Sequence, residues 1–146
     1  MLFSKEERNE IILDHWGKPR NFEEIMDARY YYVDTQRDSC ADHFVVGVYF
    51  KDGIVQDFKY SGCGCVISKT ALSILSELVI GQTEEKVKII MSEFTKMVKG
   101  EPYDNSLLGE LLVFEDIKKQ PGRIGCALLG VNGLERAIKM EEEKNL

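Results

Sequence analysis

The stretch Phe44–Tyr60, FVVGVYFKDGIVQDFKY, decides the fold. It contains two runs rich in aromatic and β-branched residues, 44–50 and 54–60, with the dipeptide Asp52-Gly53 between them. Asp-Gly between two such runs favours the tight turn of a β-hairpin, because both residues tolerate positive φ. A third β-rich run, Tyr30–Val33, precedes the hairpin. We therefore predict a small antiparallel sheet of about three strands.

The chain outside these runs has helical periodicity. Ser4 and Glu7 form a capping-box pattern that opens the first helix, and glycines at 81 and 100 end two later ones. We predict an α+β fold, with helices packed on one face of a three-stranded antiparallel sheet, in a single domain over residues 1–146. The predicted helices span residues 5–15, 66–80, 83–100, 107–114 and 124–140, and residues 141–146 are predicted to be a solvated charged tail.

Composition excludes several classes of partner. Lysine and arginine total 19 against 25 aspartate and glutamate residues, so the formal charge is −6. This balance argues against a basic surface for nucleic acid or anionic membrane. The sequence contains neither a signal-peptide pattern nor an apolar run approaching the ~18 residues of a membrane span. The predicted location is the cytoplasm, where thiols stay reduced.

The four cysteines lie at junctions between predicted elements: Cys40, Cys63, Cys65 and Cys126. Backbone N–H groups at a helix start favour the thiolate, the form that binds metal and attacks sulfur. Three thiolates with the carboxylate of Asp42 would form a four-coordinate site, suited to zinc or to one edge of an iron–sulfur cluster. Four unrelated reduced thiols are the alternative. The absence of C-x-x-C argues against a zinc finger and against a thiol–disulfide redox protein.

Four motifs in order carry a family resemblance. They are D-H-x-x-x-P-R-N at 14–21, C-A-D at 40–42, G-C-G-C-V-I-S at 62–68 and P-G-R-I-G-C-A-L-L at 121–129. Together they resemble the U-type iron–sulfur cluster assembly proteins, which comprise IscU, the N-terminal domain of NifU, and SufU. Gly125 stands where IscU-type chains carry a histidine, and Cys65 and Cys126 are far apart in sequence. Both features favour the SufU type.

The resemblance implies a SufE/NifU-like fold with a three-stranded sheet. It also implies that Cys40, Asp42, Cys65 and Cys126 hold Zn²⁺, and that Cys40 accepts persulfide sulfur from a PLP-dependent cysteine desulfurase (SufS-like). In such relatives a histidine of the desulfurase takes one zinc position and frees the acceptor thiol. The sulfur then passes to an iron–sulfur assembly complex or to acceptor apoproteins, so the chain is expected to act as a sulfurtransferase component.

Three further residues are candidates for the same site. Cys63 stands where IscU-type scaffolds carry a ligand, so it could be a spare thiol, a ligand in another state or a sulfur relay. Arg123 is the candidate cation beside an excess of negative charge, and an exposed residue at a helix start is its alternative role. His43 adjoins Asp42 and could orient that ligand. His15 has no other ligand nearby in sequence, so we expect it to fix a helix end or to contact a partner.

Two other functions stay open at this point. A [2Fe–2S] cluster could be built on the same residues and handed on, as on a true scaffold. A zinc-stabilised docking subunit would need no sulfur chemistry.

Overall fold

The computed structural model describes residues 2–24, 26–36 and 41–146. One helix precedes three consecutive strands, and the remaining helices follow them, as the predicted α+β class requires. In chain order the elements are α1 (Lys5–Gly17), β1 (Tyr31–Gln36), β2 (His43–Lys51), β3 (Ile54–Cys63), α2 (Val66–Val79), α3 (Glu84–Lys99), the 3-10 helices Gly109–Phe114 and Ile117–Lys119, α4 (Pro121–Ala127) and α5 (Leu129–Lys144). In these ranges of the chain no helix combines the length and the apolar character needed to cross a bilayer.

The three strands form an antiparallel sheet in the order β1-β2-β3. Asp52 and Gly53 join β2 to β3 with φ of 54° and 74°. Two successive positive φ values give a turn whose twist matches the twist of the strands. The predicted hairpin is thus confirmed. β1 begins one residue later than predicted and continues beyond Val33 to Gln36.

One face of the sheet carries the core. Phe44, Val46 and Val48 alternate along β2 and are fully buried. α5 lies against β1 and β2, whereas α2 contacts β3. A Cβ added at Gly130 would lie 2.7 Å from Leu72 Cδ2 on α2, so a larger residue there would require this buried side chain to shift.

The N-terminal helix is capped as the sequence predicts, and contacts near its other end anchor it. The Ser4 hydroxyl accepts the Glu7 amide, and the Glu7 carboxylate accepts the Ser4 amide, which completes the capping box. Near the other end of α1, the Lys69 ammonium lies 5.3 Å from the Trp16 ring centroid and 4.2 Å from that of Phe22. These cation–π contacts join α1 to the first turns of α2.

The C-terminal region differs from the prediction in two ways. The single helix predicted over 124–140 is two helices, because Leu128 leaves helical geometry at φ −92° and ψ 0°. The predicted charged tail is helical up to Lys144. An ion pair between Glu142 and Lys88 of α3 holds this last turn in place. Exposed charges in the last turn are compatible with a helix when a neighbouring element supplies such partners.

Candidate metal centre

Asp42, Cys65 and Cys126 come from three separate segments and converge on one point. Asp42 immediately precedes β2, Cys65 is the N-cap of α2, and Cys126 lies in α4. One carboxylate oxygen and the two sulfurs all lie within 4.8 Å of one another. Asp42 and Cys126 are buried, and Cys65 is half-buried. A buried group of two sulfurs and one carboxylate is the kind of donor set that binds zinc.

The carboxylate of Asp42 is held by the backbone of the α2 N-terminus. Its Oδ1 accepts a hydrogen bond from the Cys65 amide at 2.8 Å, and its Oδ2 lies 3.9 Å from Cys65 Sγ. Burial of a carboxylate is tolerated because a donor meets it. The amide satisfied in this way is at the start of α2, where backbone N–H groups lack helical partners.

The two glycines of G-C-G-C make this arrangement sterically feasible. Gly62 has φ 128°, and a Cβ there would lie 2.2 Å from the carbonyl oxygen of His43. A Cβ at Gly64 would lie 2.6 Å from Asp42 Oδ1, from a Phe44 ring carbon and from Ser68 Oγ. Larger residues at either position would push β2 or Asp42 away from Cys65.

Cys65 is placed where its thiolate is stabilised. Its sulfur accepts the Ser68 amide at 3.5 Å and lies 3.6 Å from the Ser68 hydroxyl. Burial raises the pKa of the thiol, and so does the charge of Asp42. Hydrogen bonds from Ser68 and Cys126 lower the pKa by more, so the pKa lies below its usual value. A thiol poised in this way is suited to metal binding or to sulfur chemistry.

Cys126 reaches the group from the C-terminal half of the chain. Pro121 starts α4 at the first helical position, which suits a residue without an N–H. The helix places Cys126 one turn later, with no exposed surface. The sulfur of Cys126, the third donor, is therefore surrounded by packed protein atoms.

A family model described as the NifU-like N-terminal domain matches residues 7–146. The chain belongs to this family. The IscU iron–sulfur cluster assembly scaffold protein of Thermotoga maritima is 32% identical over 131 residues, which are 90% of this chain and 92% of that protein. The zinc-dependent sulfurtransferase SufU of Bacillus subtilis is 31% identical over 137 residues, covering 93% and 92%.

Solved structures agree on the fold of this NifU-like chain. A crystal structure described as a putative iron–sulfur cluster assembly scaffold protein for the SUF system, from Fervidobacterium islandicum, superposes with a TM-score of 0.82 at 29% identity. The match covers 88% of this chain and 93% of that one. The predicted fold class and family resemblance are therefore confirmed.

Of the remaining predicted site residues, Cys40 lies outside the described residues, and none of the other three belongs to the grouped donors. Cys40, the predicted acceptor, is among the residues that the structure does not describe. Cys63 is exposed at the end of β3 and is not one of the grouped donors within the described part of the chain. His43 is half-exposed, and its Nε2 contacts the Asp34 carboxylate across the β1–β2 pair. Arg123 is exposed in α4, one turn before Cys126.

Ser68 is the last residue of the G-C-G-C-V-I-S motif, but the sequence analysis gave it no role in the site. It is fully buried, and its amide and hydroxyl both lie next to the Cys65 sulfur. The sequence position of Ser68 could have identified it, because the amide three residues after an N-cap residue donates to the capping side chain.

Proposed function

We propose that this chain is a zinc-dependent sulfur acceptor of iron–sulfur cluster assembly, which takes persulfide sulfur from a PLP-dependent cysteine desulfurase. The observation that carries the proposal is the convergence of Asp42, Cys65 and Cys126 on one buried point. Cys40 is two residues before Asp42 in the sequence. The name of the Bacillus subtilis relative, a zinc-dependent sulfurtransferase, supports the same proposal.

The proposed ligands of zinc are Cys40, Asp42, Cys65 and Cys126. Three sulfurs and one carboxylate oxygen suit the tetrahedral coordination that zinc prefers. When bound, zinc keeps its cysteine ligands deprotonated. The lowered pKa of Cys65, which results from hydrogen bonds within the protein, supports a thiolate ligand at this position.

The proposed chemistry belongs to Cys40. Its thiolate attacks the outer sulfur of the persulfide on the desulfurase cysteine. A new S–S bond forms on Cys40, the S–S bond of the donor breaks, and the desulfurase cysteine leaves as a thiolate. The proton on the outer sulfur moves with that atom. Meanwhile Asp42, fixed by the Cys65 amide, and Cys65, fixed by Ser68, keep the rest of the site in place.

Charge balance gives Arg123 a proposed role. Three thiolates and one carboxylate exceed the charge of Zn²⁺ by two, so a cation near the site would stabilise it. Arg123 is in the same helix as Cys126 and is exposed, so we propose that it offsets this charge and meets the partner protein. His43 is proposed to keep its contact with Asp34 and to hold the segment after Asp42 in place.

The test compares two cysteine variants with a cysteine desulfurase. We expect Cys40→Ala to lose the stimulation of desulfurase turnover, measured as alanine released from cysteine. Cys63→Ala is the matched control, because Cys63 is an exposed thiol outside the buried group, and it should stimulate as the unmodified protein does. If Cys40→Ala stimulates the desulfurase fully, the sulfur acceptor is another thiol and not Cys40.

A second candidate function is a scaffold on which a [2Fe–2S] cluster is built. Cys63 supports it, since it adds a thiol at the IscU ligand position, and so does the name of the Thermotoga maritima relative. Metal analysis of protein produced in iron-replete cells separates the two. One zinc per chain supports the sulfur acceptor, whereas two irons with acid-labile sulfide support the scaffold. Undiminished assembly activity of Cys40→Ser would instead indicate a docking subunit.

A further inference from the structure

A second group of potential ligands lies away from the cysteines. His15 of α1, Glu77 of α2 and Glu110 of the 3-10 helix Gly109–Phe114 bring one ligand atom each within 4.8 Å of one another. His15 Nε2 lies 3.0 Å from Glu110 Oε1 and 3.8 Å from Glu77 Oε1. This group shares no residue with the cysteine site.

The imidazole of His15 is fixed with one nitrogen turned toward the two carboxylates. The ring is fully buried, and its Nδ1 lies 2.7 Å from the Ser73 hydroxyl oxygen. That same oxygen accepts the Arg20 amide at 2.9 Å, so it is itself held in place. A histidine that binds a metal through one nitrogen usually has its other nitrogen hydrogen-bonded in this manner.

The spacing of the three atoms matches a coordination sphere. Nitrogen and oxygen ligands each about 2.1 Å from a zinc ion lie about 3.4 Å apart when the arrangement is tetrahedral. The two observed distances from His15 Nε2, 3.0 and 3.8 Å, fall on either side of this value. Small side-chain movements would bring all three atoms to one ion.

The charges around the group also favour a cation. Two carboxylates meet a single imidazole, and the Arg20 guanidinium, which interacts electrostatically with both of them, lies 3.8 Å from Glu77. Arg20 is itself paired with Asp14 at 2.6 Å, which offsets its charge. The Glu77 and Glu110 side chains are 47% and 46% exposed, so an ion and its remaining water ligands can reach them from solvent.

We propose that His15, Glu77 and Glu110 form a second metal site that takes a divalent first-row ion such as Mn²⁺ or Zn²⁺. One imidazole and two carboxylates are borderline-to-hard ligands, which suit these ions rather than a thiolate-seeking one such as Cu(I). Water completes the coordination on the exposed side. The bound ion would tie α1 to α2 and to the 3-10 helix before α4, three elements that otherwise meet through side-chain packing and hydrogen bonds.

Manganese gives a test that the cysteine site does not obscure. Protein is first loaded with one zinc per chain, and Mn²⁺ is then added. Binding is measured as the loss of the EPR signal of free aqueous Mn²⁺. The zinc content is measured before and after the titration. The variants are Glu77→Gln and Glu110→Gln, whose half-exposed side chains can be replaced without opening the core. Glu101→Gln, an exposed glutamate in the loop after α3, is the matched control.

We expect one Mn²⁺ to bind per zinc-loaded chain, and each carboxylate variant to weaken binding at least tenfold while Glu101→Gln leaves it unchanged. Electron spin echo envelope modulation should show ¹⁴N coupling from a directly bound imidazole, a readout that a purely structural His15 would not produce. No saturable Mn²⁺ binding, equal binding by the variants, or bound Mn²⁺ without nitrogen coupling would each overturn the proposal. None of these results depends on sulfur transfer.

Discussion

Replacing Gly64 with alanine should damage the metal centre through a single methyl group. The new Cβ would lie 2.6 Å from three atoms: Asp42 Oδ1, a ring carbon of Phe44 and Ser68 Oγ. Phe44 and Ser68 are fully buried and Asp42 nearly so, which means that any of the three would disturb its surroundings by moving. The least costly response is a shift of Asp42, which would break its 2.8 Å hydrogen bond with the Cys65 amide.

The loss of stability in Gly64→Ala has two contributions, the steric clash of the new methyl group and the broken hydrogen bond of Asp42. Overpacking a core position by one carbon costs about 1–3 kcal/mol. Loss of a hydrogen bond to a charged group costs about 1.5–3 kcal/mol. The two do not add fully, because moving Asp42 relieves part of the clash. We therefore expect Gly64→Ala to lower the free energy of unfolding of the metal-free protein by ~2–3 kcal/mol, or the Tm by about 5–10 °C for a chain of this size.

Thermal unfolding and competition with a metal chelator measure both consequences. Gly122→Ala is the matched control, since nothing lies within 4 Å of a Cβ at that helical position, and its Tm should stay within about 3 °C. Gly64→Ala should also bind zinc at least tenfold more weakly, because Asp42 leaves its place. If Gly64→Ala matched Gly122→Ala in Tm and in zinc affinity, the steric account of the G-C-G-C motif would be wrong.

Two further predictions concern the same centre. Removing zinc by chelation should lower the Tm sharply, because a structural zinc site contributes ~10 kcal/mol or more of apparent binding free energy. An unchanged melting curve would show that zinc does not stabilise the fold. In metal-free protein, Ser68→Ala should raise the pKa of Cys65, because it removes the hydroxyl hydrogen bond that lowers this pKa and keeps the one from the Ser68 amide. The pH midpoint for alkylation of Cys65, followed by peptide mass spectrometry, should move upward. An alkylation midpoint that Ser68→Ala leaves unmoved would refute the role of Ser68 in lowering this pKa. Because the pKa of Cys65 is lower in the folded than in the unfolded chain, its ionisation stabilises the metal-free protein above the pKa of an unfolded thiol. This contribution to the free energy of unfolding is lost as the pH falls through the folded pKa.

The elements with local signals were predictable from the sequence. Asp52-Gly53 predicted the hairpin because a two-residue turn depends on its own backbone angles. The Ser4 capping box predicted the start of α1 for a similar reason. The break at Leu128 was not predictable, since it depends on how α4 and α5 pack rather than on any residue that forbids a helix.

The candidate sites depend on contacts between distant segments. Spacing alone left the cysteines as either one site or four separate thiols, and only the family resemblance placed Asp42, Cys65 and Cys126 together. The motif at 14–21 contains His15, but nothing in the sequence links this histidine to Glu77 or Glu110. Its histidine and Glu110 are separated by 95 positions in sequence, so only the packing of α1 against the 3-10 helix brings them together.

Trp16 provides an intrinsic fluorescence probe close to the first turn of α2. It is the single tryptophan of the sequence, its ring is about 40% exposed, and the Lys69 ammonium lies over it. The Lys69 amide donates to the carbonyl of Cys65, so the lysine that contacts the indole belongs to the helical turn that Cys65 caps. Emission from this unlabelled fluorophore should therefore respond to rearrangements of the first turn of α2, including any that metal exchange at Cys65 causes.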